Sequence, residues 1–79
     1  MRVDKFLQVS RLIKRRVVAK EAVEAGKVSV NGRAVKPGHE VNVGDRLAIR
    51  WGERLITVEI VAIREHVPAK DAQTLYRMV

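Results

Sequence analysis

No cysteine occurs anywhere in the chain. Disulfide staples and thiolate metal sites are therefore excluded, which fits the cytoplasmic address expected here. The two histidines, His39 and His66, fall in expected loops, and neither has a partner at zinc spacing. There is no Gly-rich phosphate loop, no nucleophile elbow and no pair of carboxylates on a predicted rigid element. We therefore expect no enzymatic activity, no catalytic residue, no metal and no cofactor. Long apolar runs are missing too. The greasiest stretch, Leu55 to Ile63, is broken by Thr57 and Glu59 and falls far short of the roughly 20 residues that span a bilayer. Met1-Arg2-Val3-Asp4-Lys5 leads straight into an amphipathic pattern without an apolar h-region, so no signal peptide is expected and a soluble protein is. The chain has 79 residues, enough for one domain with a thin core, since a chain this short buries only about 60% of its unfolded surface.

Acid is scarce in one half. Residues 1–36 hold ten Lys or Arg against three acidic side chains, whereas residues 37–79 hold six of each. The whole excess of +7 therefore lies in the first half. Charge kept only for solubility would be spread out; charge gathered on one segment makes a field that attracts a polyanion.

Hydrophobic spacing places the elements. Val3, Phe6 and Leu7 make one apolar stripe of a first helix over residues 2–9. Leu12 and Ile13 are expected to plug the core from the link that follows. A second helix is predicted from about Arg15 to Ala25, with Ala19, Ala22 and Val23 inward, Val18 marginal and Gly26 as its stop. Val28 and Val30 alternate up to Asn31-Gly32, a strong hairpin signal because a type I′ turn needs positive φ twice. Leu47, Ile49 and Trp51 share one face of a later strand, which makes Trp51 an expected core residue rather than a base-stacking one. A longer strand runs from Leu55 to Ile63. Pro68 is placed to open a short helix through about Met78, docked by Leu75, Met78 and Tyr76. The predicted class is α+β: two N-terminal helices on a small bent antiparallel sheet, with a short C-terminal helix.

The chemistry lies in the basic cluster. Lys14, Arg15 and Arg16 stand where the second helix begins, Lys20 follows Arg16 by one turn, and Arg2, Lys5 and Arg11 come from the first helix and the link. Arginine's planar fork holds two phosphate oxygens or stacks on a base, and a helix N-terminus adds backbone donors. Asp4 is the acidic exception. It either favours the helix N-terminus or orients Arg2 or Arg16 by a charge-assisted bond. At the hairpin, Lys27, Asn31, Arg33 and Lys36 form a second rank, with Asn31-Gly32 foremost a turn.

These residues resemble a known pattern. Arg2-Val3-Asp4-Lys5-Phe6-Leu7, then Arg16, Ala19, Gly26-Lys27-Val28-Ser29-Val30-Asn31-Gly32, Val35 and Gly44-Asp45 resemble the S4-type RNA-binding domain of ribosomal protein S4 and its relatives. The match covers about residues 1–50, and residues 51–79 are expected to complete the same domain. Arg15 stands where many such domains have Ser or Thr, which puts the usual helix cap in doubt. Val9-Ser10-Arg11-Leu12-Ile13-Lys14-Arg15-Arg16 and Ala72-Gln73-Thr74-Leu75-Tyr76 are similar to the stand-alone RqcP family and the related small heat-shock ribosome-binding proteins. The latter usually carry a longer basic C-terminal extension, so the RqcP side is expected. The resemblance implies a role in ribosome-associated quality control. It implies binding to large-subunit ribosomal RNA and an obstructed peptidyl-tRNA on the large ribosomal subunit, and RqcH as a partner that adds a C-terminal alanine tail. It assigns RNA contact, or the orientation of a contact, to Arg2, Asp4, Lys5, Arg11, Lys14, Arg15, Arg16 and Lys20. A monomer without membrane attachment is expected. Two other readings stay open: a different free-standing S4-type adaptor for rRNA or tRNA (of heat-shock subunit-recycling or ribosome-assembly type), and a basic module for acidic proteins or membrane surfaces.

Overall fold

Val3, Phe6 and Leu7 lie wholly buried on the inner stripe of helix α1, Val3–Val9, in a computed structural model that describes residues 1–79. Burial of a large apolar side chain of this kind contributes about 1.5–3 kcal/mol. The backbone donors of a helix's first turn have no partner in its own ladder, and here Val3, Asp4 and Lys5 each find one elsewhere. Val3 N–H donates to the His39 carbonyl at 2.7 Å and Asp4 N–H to that of Pro37 at 3.4 Å, while the Phe6 N–H bond to the Arg2 carbonyl at 3.0 Å is the first of the helix itself. Lys5 N–H donates to Asp4 Oδ1 at 2.8 Å. The loop at residues 37–41 thus acts as the cap that Arg2, at the capping position, does not supply.

Ser10 ends α1. Buried, its hydroxyl donates to the Leu7 carbonyl at 3.2 Å. Arg11 then takes φ 64°, a left-handed turn that costs a non-glycine residue about 1–2 kcal/mol and sends the chain back towards the core. Ile13 is buried there and Leu12 half-buried. Helix α2, Arg16–Glu24, presents buried Ala19, Ala22 and Val23. It closes in a Schellman arrangement: Gly26 N–H donates to Val23 and Lys27 N–H to Ala22, with Gly26 at φ 75°.

The sheet has strands β1 (Val28–Val30), β2 (Arg33–Ala34), β3 (Arg46–Trp51), β4 (Arg54–Ile60) and β5 (Tyr76–Met78), in the order β2-β1-β3-β4-β5. Every pairing is antiparallel. Asn31 at φ 51° and Gly32 at φ 84° make the two-residue turn between β1 and β2. Val28, Val30, Leu47, Ile49, Val58 and Ile60 face one core with the helices. No helix is long and apolar enough to cross a membrane.

Three expectations are corrected. The C-terminal helix is a 3₁₀ segment, Ala69–Leu75, and stops before Tyr76. The next three residues instead pair with β4, Tyr76 opposite Ile60 and Met78 opposite Val58. Leu75 is buried and Tyr76 half-buried against the core, but Met78 is 64% exposed and docks nothing. Trp51 is not core: it is 39% exposed. It keeps the inward phase of Leu47 and Ile49, yet β3 has run past the end of the packed layer by that residue. The longer strand expected over Leu55 to Ile63 runs Arg54–Ile60.

Candidate nucleic-acid interface

Asp4 is the pivot of the basic surface. Its side chain points off the flank of α1 and the residue is 1% exposed. A buried carboxylate is costly unless its lone pairs are used, and these are. Arg2 donates from Nε to Oδ1 at 3.2 Å and from Nη2 to Oδ2 at 3.1 Å, a two-pronged contact. Lys5 N–H adds the bond to Oδ1, and Arg16 Nη2 approaches Oδ1 to 3.6 Å. Asp4 therefore pairs with both of the arginines that the sequence offered as alternatives, Arg2 and Arg16.

One acid thus gathers two guanidinium groups from separate elements, and the trio keeps one net positive charge. The Arg2 and Arg16 side chains stay 47% and 46% exposed. Each retains N–H donors that no protein acceptor takes, which suits contact with phosphate oxygens. The Arg2 guanidinium passes beside Gly38, where even an added Cβ would make only ordinary van der Waals contact with it at 3.9 Å. Lys20, one turn beyond Arg16, is exposed and has no ion pair, and it continues the stripe along α2.

The other candidates form separate groups. Lys14 and Arg15 are exposed without acidic partners and share a groove with Leu12, Ile13, Val18 and Trp51. Lys27 lines the adjoining groove with Glu21, Ala22, Ala25, Val18 and Trp51. Lys5 and Arg11 border another concavity with Gln8, Glu65 and His66. There Lys5 is paired with Glu65, and the Lys5 ammonium holds the Glu65 carboxyl below its ordinary value, by hydrogen bond and then by charge. Arg33 on β2 and Lys36 after it are exposed and unpaired. The Asn31 amide is already used: Nδ2 donates to Asp45 Oδ1 at 3.1 Å, and Oδ1 accepts the Arg46 N–H at 3.0 Å. Asn31 therefore welds two turns together, a task for which Gly44-Asp45 was the only sequence signal.

Sequence reasoning missed Glu65, Gly38 and the flanks of Trp51. No local pattern announces contacts between residues that lie so far apart in the chain. His39 and His66 join no group of residues able to hold a metal ion. At α2, Arg15 sits at the capping position in extended geometry and makes no side-chain cap, as its replacement of Ser or Thr implied.

Residues 1–47 match the family model described as S4 domain. Over 99% of its length the chain is 54% identical to a Halalkalibacterium halodurans protein named RQC P-site tRNA stabilizing factor, covering 89% of that protein. It is 42% identical over its full length to a Bacillus subtilis protein of the same name, covering 92% of it. Heat shock protein 15 of Escherichia coli is 40% identical over 96% of the chain, which spans 58% of that protein. Among solved structures, the trimeric Vibrio cholerae Heat Shock Protein 15 superposes over the whole chain with a TM-score of 0.93 at 38% identity, and 81% of it is covered.

Proposed function

The chain belongs to the S4 domain family, and from that premise we propose that it is a non-catalytic RNA-binding factor that stabilises P-site tRNA during ribosome-associated quality control. Its full-length similarity to proteins named for that role supports the reading. The observation that carries it is the Arg2–Asp4–Arg16 cluster, two half-exposed guanidinium groups fixed by one buried carboxylate. Such a cluster suits the backbone of folded RNA, where closely spaced phosphates meet a preset pair of forks. In the proposed action the protein sits on the large ribosomal subunit and contacts both its rRNA and an obstructed peptidyl-tRNA. It keeps the tRNA in place while an RqcH-type partner extends the stalled chain with alanine. Arg2, Asp4, Arg16 and Lys20 form the principal contact. Lys5, Arg11, Lys14, Arg15, Lys27, Arg33 and Lys36 take outer positions, and Asn31 serves by shaping the hairpin.

The test is sedimentation of extract containing tagged parent or Arg2→Ala/Arg16→Ala protein, with the co-migrating RNAs identified. The expected result is parent protein with large-subunit particles and tRNA, with the double variant shifted to the top of the gradient. Equal co-migration of the two proteins, or parent protein absent from large subunits, contradicts the reading. In cells lacking the chain, a stalled reporter should lose its alanine tail, and the double variant should fail to restore it.

A further inference from the structure

The three aromatic side chains differ sharply in exposure. Phe6 is buried completely, Tyr76 is packed half-buried against the core, and Trp51 stands open. Trp51 ends β3, directly opposite Arg54 across the β3–β4 pair, so the two side chains share one face. On one side the indole borders the groove with Lys14, Arg15 and Val18, and on the other the groove with Lys27. Lys14, Arg15, Lys27 and Arg54 are all exposed, and none lies within ion-pair distance of an acid.

Glu21 is the one acid lining either groove, and an aromatic plane flanked by four uncommitted cations is the arrangement that takes an unstacked nucleobase with its flanking phosphates. Every base offers a π-face to the ring, while the cations neutralise the backbone on both sides. We propose that Trp51 is a stacking platform for an unpaired nucleotide of the bound RNA, with Lys14, Arg15, Lys27 and Arg54 holding the adjacent phosphates. This inference rests on the RNA-binding reading above and adds to it a second contact. That contact uses none of the residues of the Arg2–Asp4–Arg16 cluster and selects RNA with an exposed base over uniform duplex.

Trp51 is the only tryptophan of the chain, so its intrinsic emission reports this site alone. The experiment titrates the full chain with a short RNA hairpin carrying an unpaired loop, and with a blunt RNA duplex of equal length. Fluorescence and gel retardation are read together. The looped RNA is expected to quench Trp51 saturably and the duplex to leave it nearly unchanged. Trp51→Ala is expected to weaken binding of the looped RNA about tenfold and of the duplex less than twofold, with Trp51→Phe recovering most of the loss. Retardation of looped RNA with unchanged emission overturns the platform while leaving RNA binding in place. So does an equal loss for both RNAs in Trp51→Ala. Failure of the parent chain to retard either RNA overturns both readings. A blue shift of Trp51 on vesicles of anionic lipid, or on raising protein concentration, with no response to RNA, would assign the face to a membrane or to a second copy instead.

Discussion

At the scale of single residues, the opposing effects at Asp4 can be separated. Removing its charge makes the surface more positive, which by itself strengthens attraction to RNA. It also frees the Arg2 and Arg16 forks, so ordering them on RNA must be done at the moment of binding. We expect the second effect to win, because Arg2 is held by two bonds and both guanidinium groups by one carboxylate. Asp4→Asn should therefore weaken RNA binding several-fold despite the added positive charge. Unfolding should become easier by about 1 kcal/mol, the value of a charge-assisted bond discounted for half-exposed partners. Denaturant melts together with a filter-binding titration check both, and unchanged or tighter binding would refute the orienting role. The sequence left that role open beside simple placement at a helix N-terminus, because spacing alone does not show which arginines reach Asp4. The Lys5–Glu65 pair was not legible there at all, because 60 residues separate its members. The Lys5 ammonium lowers the Glu65 pKa, so whatever stability the pair adds is present above the unfolded carboxylate value. It is lost as pH falls through the lower folded one. A carboxyl-detected NMR titration should place Glu65 below an ordinary glutamate, and Lys5→Gln should return it to normal.

Among the elements, α2 trades stability for charge. A Ser at the capping position would bond the helix's free donors and add about 1 kcal/mol, whereas Arg15 makes no such bond. Arg15→Ser should thus raise the melting temperature by about 4–8 °C in a domain of this size while reducing RNA affinity. Calorimetry and binding on the same variant test the pair of outcomes, and a gain in both would remove Arg15 from the interface. The helices and the first hairpin were readable because their signals are local: apolar spacing in α1, Gly26 after α2, Asn31-Gly32 between strands. β5 was not. Its three residues have no alternation of burial, and only hydrogen bonds to distant β4 make Tyr76–Met78 a strand. Trp51 failed for a related reason. Phase along β3 gives the face a side chain is on, but not where the covering helices stop.

Over the whole molecule, the uneven charge of the sequence becomes a surface with distinct parts. The excess of residues 1–36 was visible in the sequence, but its division between the Asp4 cluster, the Trp51 grooves and the Glu65-paired concavity is a product of the fold. Arg54, from the balanced half of the chain, joins the Trp51 face through strand pairing alone. If about four to six phosphates are neutralised, affinity should fall with log salt at a slope of roughly −3 to −5. The most direct measurement is that slope for the parent and for Arg2→Ala/Arg16→Ala on one structured RNA. A paired cluster in contact with phosphates predicts a weaker-binding variant whose line is shallower by about 1.5–2. Two superimposed lines would contradict it, since the charges held by Asp4 would then lie away from the RNA.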